Sequence, residues 1–188
     1  MTLHVGVLAL QGDFAAHERA VAALGHRVRQ VKTAAPLASL DALLLPGGES
    51  TTMLKFLEGE GLLAPLADFC RSGRPVFGTC AGAILLAKEV SGPAQASLGV
   101  LDIDIERNAY GRQIDSFITH LDDAVPALAG VEAVFIRAPK IRRVGPGVEV
   151  LARHGGDPVL VRQGAVYAAT FHPEMTEDTR VLRTVLGS

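Results

Sequence analysis

Cys80 stands in the run Gly78-Thr79-Cys80-Ala81-Gly82, between a short apolar stretch and an alanine- and leucine-rich one. This is the G-x-nucleophile-x-G form of a nucleophile elbow, with a thiol where many hydrolases carry a hydroxyl. The flanking glycines have a steric task, because so sharp a turn from strand into helix leaves no room for a Cβ beside the nucleophile. The sulfur then sits at the opening of a helix, where aligned amides favour an anion. A thiolate that attacks an acyl carbon needs a partner to accept its proton and later to protonate the leaving amine, and imidazole does both near neutral pH. His172, in Phe171-His172-Pro173-Glu174, is the candidate. In extended chain, residues i and i+2 project to one side, so Glu174 is placed to orient His172 and stabilise its protonated form. Together these residues predict acyl transfer or hydrolysis through a thioester. Cys70, within Asp68-Phe69-Cys70-Arg71, reads instead as a small core residue.

Acyl transfer also requires N–H donors preorganised for the tetrahedral oxyanion. The amide of Ala81, directly after the nucleophile, is one candidate. Leu45-Pro46-Gly47-Gly48-Glu49 supplies the second at Gly47, since glycines let a loop turn its amides inward.

These groups need a frame. Continuous apolar runs at 5–10 and 42–45 have the pattern of strands covered on both faces. Between them, 13–24 carries apolar residues at helical spacing and ends at Gly25, and 26–31 alternates as a strand. Ser50-Thr51-Thr52 is placed to cap a helix that stops near Gly59 or Gly61, and 62–72 predicts another. A strand at 76–78 leads into the elbow, and 83–90 predicts the helix after it. Alternating strands and helices imply a largely parallel sheet with helices on both faces. The second half predicts strands at 99–106, 131–136, 149–153, 159–162 and 166–171, with hairpin turns at Gly155-Gly156-Asp157-Pro158 and Gln163-Gly164. A closing helix is expected with Thr176 as its cap and Glu177 and Asp178 in its first turn. On this reading His17 lies on the solvent face of the first helix.

Gln11-Gly12, Gly47-Gly48, Cys80 and His172 each fall just past the C-terminal end of a predicted strand. In open α/β sheets ligands bind at that edge. With 188 residues, 48% hydrophobic and 20% charged, the chain has the composition of one globular domain spanning 1–188. Its 18 Lys and Arg against 20 Asp and Glu leave no basic footprint for nucleic acid or an anionic membrane. No apolar run approaches the ~20 residues that cross a bilayer, and no signal peptide is visible. Two cysteines in unlike surroundings suggest a reducing compartment, so a cytoplasmic location is expected. The six histidines are scattered, and neither a metal nor a cofactor is expected.

The same residues carry a resemblance to the class I, triad-type glutamine amidotransferases. Ala9-Leu10-Gln11-Gly12, Leu45-Pro46-Gly47-Gly48-Glu49-Ser50-Thr51-Thr52, the elbow, Glu106-Arg107-Asn108-Ala109-Tyr110-Gly111-Arg112-Gln113, Phe135-Ile136-Arg137-Ala138-Pro139 and Phe171-His172-Pro173-Glu174 resemble the motif set of the glutaminase subunits of pyridoxal 5′-phosphate synthase. The likeness runs from residue 5 to residue 180, and 34–40 and 91–97 are its least family-like stretches, placing no site residue in doubt. It implies an α/β, three-layer, flavodoxin-like fold with additional antiparallel strands in the C-terminal half. It implies that Cys80 attacks the side-chain amide of L-glutamine, with His172 and Glu174 completing the triad. Glutamine is then expected against Gly48, Glu49, Ser50, Arg107, Ile136 and Arg137, and arginine forks suit its carboxylate. Gln11 is expected near the oxyanion loop and the partner's docking surface. The implied partner is a (β/α)8-barrel synthase subunit that uses the ammonia with a pentose phosphate and a triose phosphate, in an assembly of twelve plus twelve. Two other readings stay open: a cysteine hydrolase or glyoxalase-like protein on a similar sheet, and a catalytically silent scaffold. The His172-x-Glu174 pair and the two arginines favour glutamine over the first, and the intact triad weighs against the second.

Overall fold

In the computed structural model, which describes residues 1–109 and 116–187, the apolar runs become strands sealed on both sides. The chain order is β1 (His4–Leu8), α1 (Phe14–Ala23), β2 (Arg27–Val31), β3 (Ala42–Leu45), α2 (Ser50–Gly59), α3 (Leu63–Arg71), β4 (Val76–Thr79) and α4 (Ala81–Leu86). There follow β5 (Ala87–Ser91), β6 (Leu101–Glu106), β7 (Ser116–Leu121), β8 (Asp123–Ala124), β9 (Val131–Ile136) and β10 (Lys140–Val144). The last elements are β11 (Glu149–His154), β12 (Asp157–Gln163), β13 (Val166–Ala169) and α5 (Arg180–Leu186).

The main sheet has the order β2-β1-β3-β4-β13-β12-β11-β8. From β2 to β13 its neighbours are parallel, and from β13 outward they are antiparallel. All four residues of β3 are buried. They alternate between two cores: Leu43 and Leu45 pack with α2, α3 and α4, while Ala42 and Leu44 pack with α1 and α5. Helices on both faces therefore bury what the apolar runs demand. Beside this sheet lie a three-stranded one, β10-β6-β5, and the pair β7-β9.

Several boundaries differ from the sequence expectation. The helix expected over 83–90 stops at Leu86, and Ala87–Ser91 is strand β5, paired parallel to β6. Ala87 and Val90 enter the core while Lys88 and Glu89 face out, so pairing with β6 overrides a locally helical pattern. Strands β7, β8 and β10 had no clear apolar alternation to betray them; β7 is largely exposed or half-buried. Ser50 is the first residue of α2, and the cap is Glu49. The closing helix starts later than expected, with Thr179 at its N-cap. Thr176 Oγ1 accepts from the Asp178 amide at 3.1 Å, and Asp178 in turn accepts from the Arg180 amide, so those side chains serve the approach to the helix.

The elbow depends on two missing Cβ atoms. One added at Gly82 would run into the Leu45 carbonyl oxygen, and one at Gly78 would sit 2.6 Å from the Gly82 backbone. Both obstacles are backbone and cannot rotate away. Gly82→Ala is expected to destabilise the protein by about 2 kcal/mol or more, read as a lower midpoint in chemical denaturation with an unchanged slope. An unchanged midpoint would show that the β4–α4 junction has slack.

Candidate active site

Parallel pairing of β4 with β13 brings distant parts of the chain together. Thr79 lies beside Ala169 in register, and the Cys80 amide donates to the Ala169 carbonyl at 2.9 Å. Cys80 itself has φ 48 and ψ −102, in the region that side chains rarely adopt. Such strain costs about 1–3 kcal/mol and persists only where the surroundings impose it. Here the strand ladder on one side and the start of α4 on the other impose it, and Cys80 is 8% exposed.

His172 leaves β13 with its amide bonded to the Val134 carbonyl at 2.8 Å. Its Nδ1 donates to Glu174 Oε1 at 2.7 Å, and both side chains are buried. A Cβ on Gly47 would strike the His172 ring and lie 3.5 Å from Cys80 Cβ, so loop, imidazole and thiol meet at one point. Burial opposes a charged His172, but hydrogen bonding to the Cys80 sulfur and to Glu174 outweighs it and lifts the imidazole to about 10. Burial likewise opposes the Glu174 carboxylate, while His17 and the bond from His172 favour it and hold the carboxyl below its ordinary value. Burial also lowers His17 from its ordinary value, so that ring is neutral at pH 7. The arrangement suits a thiolate–imidazolium pair braced by a carboxylate.

A cleft of about 110 Å³ opens on Cys80, lined by Gly48, Glu49, Ser50, Arg107, Ile136 and Arg137 among others. A single water needs roughly 10–15 Å³, so the cleft admits a solute of several heavy atoms. Every residue expected to contact glutamine lies on its wall, along with Ile84, Asn108 and Pro139. Arg107 Nη2 donates to Thr51 Oγ1 at 2.9 Å and lies 3.4 Å from Glu49 Oε1. The Glu49 carboxylate accepts from the amides of Thr51 and Thr52, so it caps α2 and anchors Arg107 at once. Arg137 has φ 43, a strained backbone on the rim of the cleft. The Tyr110-Gly111-Arg112-Gln113 part of the family motif lies outside the described residues.

A second opening shares Gly48, Glu49, Cys80, Ile136 and Arg137 with the first and is lined besides by Gln11, Asp13, Gly47, His172 and Met175. The Gly47 carbonyl accepts from the Asp13 amide at 3.2 Å. In a trans peptide the following N–H points the opposite way, so the Gly48 amide faces away from Asp13. Gln11 Oε1 accepts from the Glu49 amide at 2.9 Å, and a Cβ on Gly48 would approach that oxygen at 2.5 Å. Gln11 thus braces the loop that carries the candidate oxyanion donors. The Ala81 amide opens α4 beside the nucleophile.

Sequence reasoning missed two residues around the site. His17 is on the buried face of α1, 1% exposed, with Nε2 3.0 Å from Thr79 Oγ1 and 3.5 Å from Glu174 Oε2. Its spacing from Phe14 and Val21 puts it on their helix face, and that periodicity was the available signal. Gln95, within the 91–97 stretch that is among the least family-like, accepts from Ser50 Oγ at 2.9 Å. No local pattern in 91–97 marks it. Cys70 is buried in α3, and burial pushes its thiol up to about 12.

A raised imidazole pKa makes stability depend on pH. The His172 interactions favour the folded state fully below its ordinary value near 6.5, and that contribution is lost as pH rises through about 10. The melting temperature is therefore expected to fall between pH 7 and pH 10, with a shallower fall in His172→Gln; equal slopes would place the titration elsewhere.

The chain matches the SNO glutamine amidotransferase family over residues 7–186. It is 54% identical over 182 residues to the pyridoxal 5′-phosphate synthase subunit PdxT of Solibacter usitatus, covering 94% of each chain. It is 53% identical over 184 residues to the protein of the same name from Thermus thermophilus, covering 97% of this chain and 95% of that one. A crystal structure of a glutamine amidotransferase superposes with a TM-score of 0.91 at 51% identity, covering 97% of both chains. A structure of PurLQS from Thermotoga maritima, at 16% identity and a TM-score of 0.73 with 100% of this chain and 99% of that one covered, shares the fold. With nearly its whole length matched and the α/β frame in common, this chain belongs to the SNO glutamine amidotransferase family.

Proposed function

We propose that this chain is the glutaminase subunit of a pyridoxal 5′-phosphate synthase, with the reaction running at Cys80 inside one domain spanning 1–188. The observation that carries this reading is that Cys80, backed by the bonded pair His172 and Glu174, opens on an arginine-lined cleft sized for a small polar solute. The names and near-full-length identities of the relatives support the choice of glutamine and of the synthase.

In this reading the Cys80 thiolate attacks the δ-carbon of glutamine, and the amide oxygen becomes an oxyanion. The Ala81 amide and an amide of the Gly47-Gly48 loop receive that charge, which backbone donors do without reorganising. The imidazolium of His172 gives its proton to the departing nitrogen, the C–N bond breaks, and a γ-glutamyl thioester remains. Neutral His172 then takes a proton from water, whose oxygen attacks the thioester. Glutamate leaves and the thiolate–imidazolium pair is restored. Glu174 holds the ring through Nδ1, so the remaining ring nitrogen serves the reacting atoms. Arg107 and Arg137 supply cations for the substrate carboxylate, with Gly48, Glu49, Ser50 and Ile136 shaping the rest of the cleft.

The ammonia passes to a synthase subunit, which the family resemblance makes a (β/α)8 barrel in an assembly of twelve plus twelve. Gln11 joins the loop at the site to the surface such a partner would cover. A nucleophilic thiol also suits a reducing cytoplasm.

Ammonia release from glutamine is expected to rise when the matching synthase subunit is added to the wild type, and to vanish in Cys80→Ala. Release that survives that substitution would overturn the thiol mechanism. Arg107→Ala is expected to raise KM for glutamine by about tenfold or more with a smaller change in kcat, the mark of a lost binding contact. An unaltered KM would take Arg107 out of the substrate site.

A further inference from the structure

Glu174 is a carboxylate buried to the point where its side chain is 1% exposed, and only one of its oxygens is bonded to His172. The other, Oε2, has no hydrogen-bond partner among the described residues. A buried charge left half-solvated is costly and poorly fixed in orientation. The complementary group in range is His17 Nε2, 3.5 Å from Oε2. The same nitrogen lies 3.0 Å from the hydroxyl of Thr79, the residue before the nucleophile. We propose that His17 is a positioning residue for the glutaminase reaction: a neutral Nε2–H tautomer, shared between Thr79 Oγ1 and Glu174 Oε2, holds the carboxylate so that its other oxygen faces His172.

This inference rests on the glutaminase reading for its kinetic arm only. The chain of contacts runs from α1 through Glu174 to His172 and, by way of Thr79, to the strand end that carries Cys80. His17 therefore acts behind both reacting groups and touches neither. The opposite tautomer would turn a lone pair toward the carboxylate and repel it. The groups that face His17 are Glu174, His172, Asp13 at the start of α1, and Thr79 at the end of β4. Asp178 borders the same small cavity and is paired with Arg180.

The sign of the effect follows from which form the donor favours. An N–H on Oε2 stabilises the ionised carboxylate, so losing it lets Glu174 take up a proton at higher pH. The imidazolium then loses its counter-charge at higher pH, and the reactive thiolate goes with it. In His17→Phe, which keeps bulk and removes the donor, kcat is expected to fall by about ten- to a hundredfold. KM for glutamine should stay within about threefold, because no group that lines the substrate cleft is lost. His17→Gln, which can return an N–H near the position of Nε2, should restore most of that loss.

The arm that needs no glutaminase activity is the pH profile of Cys80 alkylation by iodoacetamide in the same three proteins. Cys70, raised to about 12 by burial, stays silent in this range. The acid limb of alkylation is expected to move up by at least about half a pH unit in His17→Phe and to return in His17→Gln. A third readout uses the wild type alone: the ¹⁵N shifts of His17 should report the Nε2–H tautomer. The proposal is overturned by an Nδ1–H tautomer, by an acid limb identical in all three proteins, or by His17→Gln being as impaired as His17→Phe. If wild type with its synthase subunit releases no ammonia, the glutaminase reading fails while alkylation and tautomer still decide the role of His17.

Discussion

The 2.7 Å bond between His172 and Glu174 is the contact on which the rest of the site depends. An imidazolium buried beside a sulfur is expensive unless a carboxylate answers it, and that carboxylate is equally expensive without the imidazolium. Each therefore stabilises the other's charge, and both must be delivered to the same buried spot. The fold does this by topology. β4 and β13 lie side by side although ninety residues separate Thr79 from Ala169 in sequence, and each strand releases its functional residue just past its end. The Pro173–Met175 turn then folds Glu174 back under the ring.

Close approach is the second constraint. Loops at the ends of β1, β3 and β4 crowd one another so tightly that Gly12, Gly47, Gly48, Gly78 and Gly82 have backbone or site atoms where a side chain would begin. This crowding keeps the strained backbone of Cys80 in place. A bonded chain also runs along the cleft that opens on Cys80: Gln11 bonds to Glu49, Glu49 caps α2 and meets Arg107, and Arg107 reaches Thr51.

Much of this was legible in the residues. The apolar runs that become β1 and β3, the glycine-flanked thiol and the His-x-Glu spacing each have a local physical meaning, and the structure has the loops, thiol and imidazole at the same sheet edge. What escaped was less local. The strand at 87–91 looks helical until β6 is there to pair with it. Glu49 looked like a substrate contact alone, yet its carboxylate is also the cap of the helix that follows. On sequence alone His17 reads as a helix-surface residue, since a histidine among alanines and charges carries no hydrophobic signature, yet it shares a helical face with the buried Val21.

By itself, the sequence determined the parts list: a thiol at a glycine elbow, an imidazole with an acid two residues on, and a parallel α/β frame to hold them. These follow from residue type and short spacing, which act over a few bonds. Tertiary structure alone decided which groups stand behind Cys80 and His172, how the two clefts share Cys80, and that Glu174 has a histidine near each of its oxygens. Those are matters of distance between strands and helices far apart in the chain, and no periodicity within one segment encodes what the neighbouring segment will place against it.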